Sequence, residues 1–422
     1  MNILVLGSGG REHAIVSSLA TSPRSDIIYV APGNGGSAPG AQNVALDMMD
    51  GEAVVQFALS HDVELVVIGP EAPLVAGIAN VVAKAGLAVF GPQAAGARLE
   101  GSKQFAKDLM RAHDIPTATY AVFTNKDAAL AYLKDNPAPI VVKADGLAAG
   151  KGVTVATTDA EAIQAIEECF AGRFGSAGSR VVIEEMLTGP ECSLLAFVDG
   201  KTMVPMVPAQ DHKRALEGDK GPNTGGMGVY SPVPIVSEQE HDTMIKLMQQ
   251  TVDGLIAEGI DYRGVLYGGF ILTPSGPKVL EFNARFGDPE TQVVLPLLQS
   301  DLLDIMLACD SATLDRWELA WSDDWALSVV LASAGYPGDY EKGKVITGIE
   351  AAEALDNVTV FHAGTRRLDD GTVVTNGGRV LNVTARGATF VEARDLAYQA
   401  VDLIDFEGKQ FRRDIGQRAL RV

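Results

Sequence analysis

MNILVLGSGGREHAI, residues 1–15, holds the first decision about the fold. Residues 2–6 are an unbroken apolar run of strand length. A glycine turn (GSGG) follows, and then a helical stretch from Arg11 to Leu19. A strand delivered into a helix through glycines is the start of a βαβ unit. Working outward, DIIYVAPG, VELVVIGPE and GLAVFGP read as further strands, with a helical segment from Val75 to Ala85 before the last. This alternation predicts a doubly wound parallel sheet over about the first hundred residues, with ligands at the carboxyl ends of its strands.

The glycine turn fails as a dinucleotide fingerprint. Gly7 and Gly9 fit, but Glu12 stands at the third glycine position, and YVAPG ends the second strand where a ribose-binding acid is expected. A dehydrogenase is therefore disfavoured. Two readings survive: a tight strand–helix turn, or anion binding by the free N–H groups of the helix start, helped by Arg11.

Beyond residue 100 the texture changes twice. GSKQFAKDLMRAHDIPTATY reads as a capped helix leading into an extended segment, and residues 118–190 as a compact α+β unit. A long helix follows VYSPVPIVSEQE, and GVLYGGFILTPSGPKVLEFN reads as a hairpin turning through Thr273–Pro277. From about Trp325 the chain breaks into short strands and turns. The expected divisions are 1–100, 101–325 and 326–422, the last small and mostly β. The fold class is α/β and α+β, multidomain.

The 422 residues carry a formal charge of −20, which disfavours sequence-independent binding to nucleic acid. Three scattered cysteines form neither a disulfide framework nor a zinc site, and the six histidines show no metal-ligand spacing. No signal peptide or membrane span is read, so a cytoplasmic placement is expected.

Four stretches carry candidate chemistry. In VVKADGLAAGKGVTV, Gly150-Lys151 follow Gly146 too closely for a Walker A loop, and Gly152 replaces its Ser or Thr. Lys143 at a strand end can still reach a phosphate, and the glycine loop can cover it; a surface hairpin is the plainer alternative. VVIEEMLTGPECSLL places two acids after a buried strand. Either they are a solvated strand end, or the backbone from Glu184 to Leu187 meets a base edge while Glu191 takes ribose hydroxyls. QDHKRALEGDKGPNTGGMG is a mobile loop or the lining of a polar pocket. In KVLEFNARFGDPETQ (278–292), Glu281, Asn283 and Arg285 share one strand face, opposite Phe282 and Ala284. A solvated edge is possible. Oxygen donors for Mg²⁺ followed by a cation for a phosphoryl group is the functional alternative.

The order of Lys103, Lys143 with its glycine loop, the Glu184–Glu191 segment and Glu281-x-Asn283 resembles the ATP-grasp superfamily. GSGGREHA, GPEAPLVAG, KADGLAAGKGV, QDHKR, GPNTGGMG and EFNARFGDPETQ resemble, more narrowly, the phosphoribosylamine–glycine ligase (glycinamide ribonucleotide synthetase) family, as do GYPGDYEKGKVITG and FRRDIGQRA. Gly35-Gly36 and Val229 depart from its common residues without touching a group assigned to chemistry.

The resemblance implies an ATP-grasp core of two α+β units, with 118–190 as a mobile lid, and the ADP-forming ligation of glycine to 5-phosphoribosylamine through a glycyl phosphate, in purine biosynthesis. It implies ATP on Lys103, Lys143, Gly150, Lys151, Gly152, Glu184, Glu185, Leu187 and Glu191, and Mg²⁺ or Mn²⁺ on Glu281 and Asn283. Arg285 and Lys143 become catalytic. The sugar phosphate falls on Gly9, Gly10, Arg11 and Glu71, while Asp211, Lys213, Asn223, Thr224, Gly225, Gly226, Arg285, Gly287 and Asp288 surround glycine and the amine. The partners implied are small molecules, with no nucleic acid and no membrane, and the chain a monomer or weak dimer. Another ATP-grasp carboxylate–amine ligase or carboxylase, and a nucleotide sensor without catalysis, remain as alternatives.

Overall fold

The structure is a computed structural model that describes residues 1–36, 40–147 and 152–421. Gly150 and Lys151 lie outside the described residues. The chain opens with β1 (Asn2–Gly7), α1 (Gly10–Leu19), β2 (Ile27–Pro32), β3 (Ala41–Asn43), α2 (Gly51–Ser60), β4 (Val63–Ile68), the short α3 (Glu71–Val75), α4 (Ile78–Lys84) and β5 (Ala88–Phe90). Their order in the sheet is β3-β2-β1-β4-β5, all parallel. Alternation along β1 feeds two cores. Leu4 and Leu6 pack with Val54, Ala58, Ile78 and Val82, while Ile3 and Val5 pack with Ile15, Val16 and Leu19. Both faces are covered, as a doubly wound sheet requires.

α5 (Ala94–Gly101) and α6 (Lys103–Ala112) connect this sheet to a four-stranded antiparallel unit. That unit is built from β6 (Tyr120–Phe123), α7 (Lys126–Tyr132), β7 (Ile140–Ala144), β8 (Val153–Ala156), α8 (Asp159–Phe170) and β9 (Val181–Glu185). It holds a core of its own, in which Val142, Ile166 and Ile183 are fully or almost fully buried. β10 (Glu191–Asp199) and β11 (Met203–Pro205) begin a second antiparallel sheet. The chain then runs through β12 (Gln210–Asp211), the hairpin β13 (Arg214–Leu216) and β14 (Lys220–Asn223), β15 (Gly228–Ser231) and the long α9 (Glu238–Ala257). β16 (Arg263–Thr273) and β17 (Gly276–Asn283) complete the second sheet in the order β11-β10-β16-β17.

α10 (Thr291–Leu297) and α11 (Leu302–Asp310) lead to the last region. It comprises β18 (Trp325–Ser333), α12 (Ile349–Glu353), β19 (Val358–His362), β20 (Thr365–Arg367), β21 (Val373–Thr375), β22 (Arg379–Gly387), α13 (Phe390–Leu403) and β23 (Lys409–Gln410). Its main sheet runs β12-β15-β18-β22-β19, with β23 also on β18. The stretch read from sequence as glycine-rich loop therefore contributes two strands to the C-terminal sheet. Helix α13 interrupts the short strands and turns expected of this region, and Thr389 and Glu392 form its capping box.

The hairpin of β16 and β17 contains a break in register. Phe270 pairs with Val279 and Gly269 with Glu281, so Leu280 is an extra residue. Strict alternation would put Val279 on the side of Glu281. The bulge shifts the phase by one, so that Val279 and Phe282 both enter the core while Glu281 and Asn283 look into a cleft. The strand ends at Asn283, and Arg285 lies just beyond it.

Candidate active site

One cleft of about 640 Å³ receives side chains from all parts of the fold. At one end, Lys143 from β7 and Lys107 from α6 both meet the same oxygen of Glu184, at 2.9 and 3.1 Å. All three residues are buried. The other oxygen of Glu184 is buried without a hydrogen-bond partner among the described residues and can accept from a ligand. Lys103 donates to the carbonyl of Gly146 at 2.9 Å. Asp145 ties this corner together, accepting from Ser102 Oγ and from the amide of Gln104 at the start of α6. Burial pulls Lys107 down to about 8. It also lowers Lys103, with the like charge of Lys143 acting in the same direction against Glu281.

In the middle stand Glu281 and Asn283. Burial opposes ionisation of Glu281, but Lys213, Lys143, Lys103 and Arg285 hold it below the ordinary carboxylate value. Its carboxylate makes no hydrogen bond or ion pair among the described residues. Asn283 Oδ1 has only a long contact, 3.4 Å from Arg285. No cluster of three His, Cys, Asp or Glu side chains suited to a metal occurs among the described residues. A charged carboxylate beside an underused amide oxygen nevertheless fits Mg²⁺ or Mn²⁺, which accept hard oxygen donors and complete their shell from phosphates and water. Arg285 is held by Glu100 at 2.7 Å and lies 3.6 Å from Glu71. The atom nearest Glu71 is its Nε, which is buried and makes no hydrogen bond among the described residues.

A polar network lies beside them. Glu290 Oε1 accepts from Ser193 at 3.1 Å and from Tyr267 at 3.0 Å. Lys213 meets Glu191 at 2.8 Å. Burial raises Asp211; burial opposes the charge of Lys213, but Asp211 and Glu191 hold it well above its usual value. Thr224 is fixed by its amide and hydroxyl to the carbonyl of Lys213. Arg379 from β22 closes this end, bonding Asp288 and the carbonyl of Gly225.

The glycine turn after β1 departs from expectation in one respect. The amide of Gly9 donates to Glu12 Oε2 at 2.6 Å, and Arg11 pairs with the other oxygen of Glu12 at 2.6 Å. A Cβ at Gly7 or Gly69 would strike Glu12. These glycines thus make room for a carboxylate of the chain itself, and that carboxylate occupies the anion position at the helix start. A Cβ at Gly10 would meet Asn382 and Gln292, so Gly10 faces the C-terminal region.

Of the residues singled out by sequence, Gly9, Arg11, Glu71, Lys103, Lys143, Gly152, Glu184, Asp211, Lys213, Asn223, Thr224, Gly225, Glu281, Asn283, Arg285 and Asp288 line this cleft. Glu185 does not line it; it accepts from the amide and hydroxyl of Thr119 on an exposed edge. Leu187, Glu191, Gly226 and Gly287 are not among its lining residues. Glu191 reaches it through Lys213, a Cβ on Gly226 would strike Pro289, and the carbonyl of Gly287 caps Thr291. Lys107, Glu100, Glu290, Tyr267, Tyr336 and Arg379 line the cleft and were missed. Glu290 and Tyr336 lie within the quoted stretches GDPETQ and GYPGDY, and Lys107 stands one helical turn after Lys103; Glu100, Tyr267 and Arg379 have no such signal.

Comparison with known proteins gives matches along nearly the whole chain. Residues 1–100 match the phosphoribosylglycinamide synthetase N domain, 101–291 its ATP-grasp (A) domain, and 326–418 its C domain. A phosphoribosylamine–glycine ligase of Allochromatium vinosum is 53% identical, covering 100% of this chain and 99% of its own. The crystal structure of a phosphoribosylamine–glycine ligase from Thermotoga maritima has a TM-score of 0.84 at 35% identity, covering 99% of this chain and 100% of its own. The biotin carboxylase domain of a Hydrogenobacter thermophilus 2-oxoglutarate carboxylase has a TM-score of 0.75 at 15% identity, over 97% of this chain and 91% of its own, a likeness of fold alone.

Proposed function

We infer the division of labour in the cleft from one premise: the chain belongs to the phosphoribosylglycinamide synthetase family. It is an ADP-forming ligase that joins glycine to 5-phosphoribosylamine in purine biosynthesis, using ATP with Mg²⁺ or Mn²⁺. The observation that carries the assignment of roles is the convergence, in one cleft, of Lys103, Lys107 and Lys143 with Glu281, Asn283 and Arg285.

Glycine's carboxylate is a poor acylating agent because oxide is a bad leaving group, whereas phosphate is a good one. In the first step a carboxylate oxygen forms a bond to the γ-phosphorus as the bond to ADP breaks. In the second step the amine attacks the resulting acyl carbon and phosphate departs. Neither step needs a nucleophilic side chain; both need alignment and charge neutralisation. Lys143 and Lys103 hold the phosphates, joined by Lys107. The free oxygen of Glu184 accepts from the nucleotide, and the backbone from Glu184 to Leu187 meets the base. Glu191 takes ribose hydroxyls, and Gly150, Lys151 and Gly152 belong to the covering loop.

Glu281 and Asn283 would hold the divalent cation, which when bound neutralises phosphate charge. Arg285, locked by Glu100 and with its Nε 3.6 Å from Glu71, supplies a fixed cation for the charge that gathers on the transferring group. Asp211, Lys213, Asn223, Thr224, Gly225, Gly226, Gly287 and Asp288 enclose glycine and the amine. Gly9, Arg11 and Glu71 border the sugar. We further propose units at 1–100, 101–325 and 326–422, with 118–190 as a lid; a monomer or weak dimer; and cytoplasmic residence without membrane or nucleic-acid partners. The last point is supported by the charge of −20 and, among the described residues, by no helix being long and apolar enough to cross a membrane.

The test is ADP release with Mg-ATP, glycine and freshly generated phosphoribosylamine. Release that requires both co-substrates is expected. Release without glycine, or equally with bicarbonate, would favour a carboxylase or another ligase. Nucleotide binding with no release would favour a sensor.

A further inference from the structure

A second cleft of about 620 Å³ adjoins the first, and Ser8, Gly9, Asp288, Tyr336 and Arg379 line both. One wall is the Pro32–Asn34 turn that follows β2. The other is Ala363–Arg367, from the C-terminal region. The two walls are tied to each other. Asn34 donates to the carbonyls of Ser8 and His362 at 3.0 and 2.7 Å, and the amide of Gly35 donates to Thr365 Oγ1 at 3.1 Å.

The charge in this cleft is unbalanced. Among the described residues, Arg366, Arg367 and Arg379 line it, with Asp288 the one acid. Arg379 is committed to Asp288 at 3.2 Å. Among the described residues, Arg367 donates only to the carbonyl of Gly371. Arg366 makes no side-chain hydrogen bond or ion pair among the described residues. In a chain of net charge −20, two exposed guanidiniums with no acid between them are a local attractor for an anion. Guanidinium matches the oxygens of a phosphate monoester with paired, charge-assisted hydrogen bonds. The helix start, the other place for that phosphate, is filled by Glu12.

We propose that this second cleft is the subsite for the 5-phosphate of the sugar substrate, with Arg366 and Arg367 as its binding residues. The ribose then passes the shared wall of Gly9 and Tyr336, and its amine emerges in the main cleft beside Asp288. The assignment rests on the ligase reading above, and it deepens that reading by separating the phosphate from the amine.

The experiment compares the wild type with Arg366→Gln, Arg367→Gln and the double variant in KM for each substrate, inhibition by ribose 5-phosphate and by ribose, and melting temperature. Ribose 5-phosphate is expected to compete with phosphoribosylamine, and ribose to compete far less. The double variant is expected to raise KM for phosphoribosylamine on the order of 10- to 100-fold and to lose the inhibition, with KM for ATP and glycine and the melting temperature nearly unchanged. An unchanged KM for phosphoribosylamine overturns the proposal. So does an equal rise in all three KM values, or a fall in melting temperature that accounts for the loss. If the wild type releases no ADP, the ligase reading fails by itself. The subsite is then judged by calorimetry: ribose 5-phosphate binding that the double variant loses supports it, and binding that is absent, or retained by the double variant, overturns it.

Discussion

The carboxylate of Glu100 grips Arg285 on one side at 2.7 Å and the amide of Ala284 on the other at 2.8 Å. A residue at the end of α5 thereby fixes a guanidinium 185 positions later in the chain. Glu100→Gln keeps the shape and removes the charge. Its kcat is expected to fall on the order of 10- to 100-fold with KM for ATP little changed, since one charge-assisted contact that positions Arg285 is lost. Steady-state kinetics decide this, and a kcat equal to that of the wild type would refute the positioning role.

Glu281→Ala removes the charged oxygen donor of the β17 pair. Turnover is expected to drop by several orders of magnitude, because losing the proposed cation ligand would remove several kcal/mol of transition-state stabilisation. The circular dichroism spectrum should stay that of the wild type. A Mg²⁺ titration of residual activity should show a raised midpoint; an unshifted midpoint with normal turnover contradicts the role.

Burial draws Lys107 down to about 8, so it loses its charge as pH rises through that value. If it helps neutralise the triphosphate, KM for ATP should climb above about pH 8 in the wild type. In Lys107→Arg, which stays charged, that limb should vanish. The same depressed value has a stability signature. Between about 8 and the usual lysine value the unfolded chain binds more protons than the folded one, so stability should rise with pH in that window. A flat ATP profile in the wild type would exclude Lys107 from the nucleotide site.

Glu12→Ala leaves the buried guanidinium of Arg11 without its carboxylate and the amide of Gly9 without its acceptor. Breaking a buried pair from one side costs about 3–5 kcal/mol. Urea denaturation should show a loss of that order. A change below about 1 kcal/mol would mean that water replaces the carboxylate readily.

The sequence by itself determined the layers and singled out many of the residues that line the cleft. NILVL followed by GSGG sets the parallel sheet, because an apolar strand entering a helix can be buried only between covering helices. Glu281, Asn283 and Arg285 at every second place show a charged face on a strand whose neighbours belong in a core. These signals are local; they span a few residues, and backbone periodicity alone converts them into direction. Only the tertiary structure decided the rest. The bulge at Leu280 is a matter of pairing with Gly269 and Phe270, which no spacing within 278–292 records. The strand at 228–231 forms by joining the one that starts at Trp325, and the strand at 210–211 by joining 228–231 in turn. Glu100, Arg379 and Arg366 carry no motif. Glu100 and Arg379 acquire meaning when folding carries them to Arg285, 185 positions away, and to Asp288, 91 positions away. Arg366 does so when its segment comes to line a cleft with the Pro32–Asn34 turn. The carboxylate of Glu12 sits at the helix start because its side chain folds back onto Gly9. Electrostatics act through space, whereas sequence patterns report only neighbours along the chain.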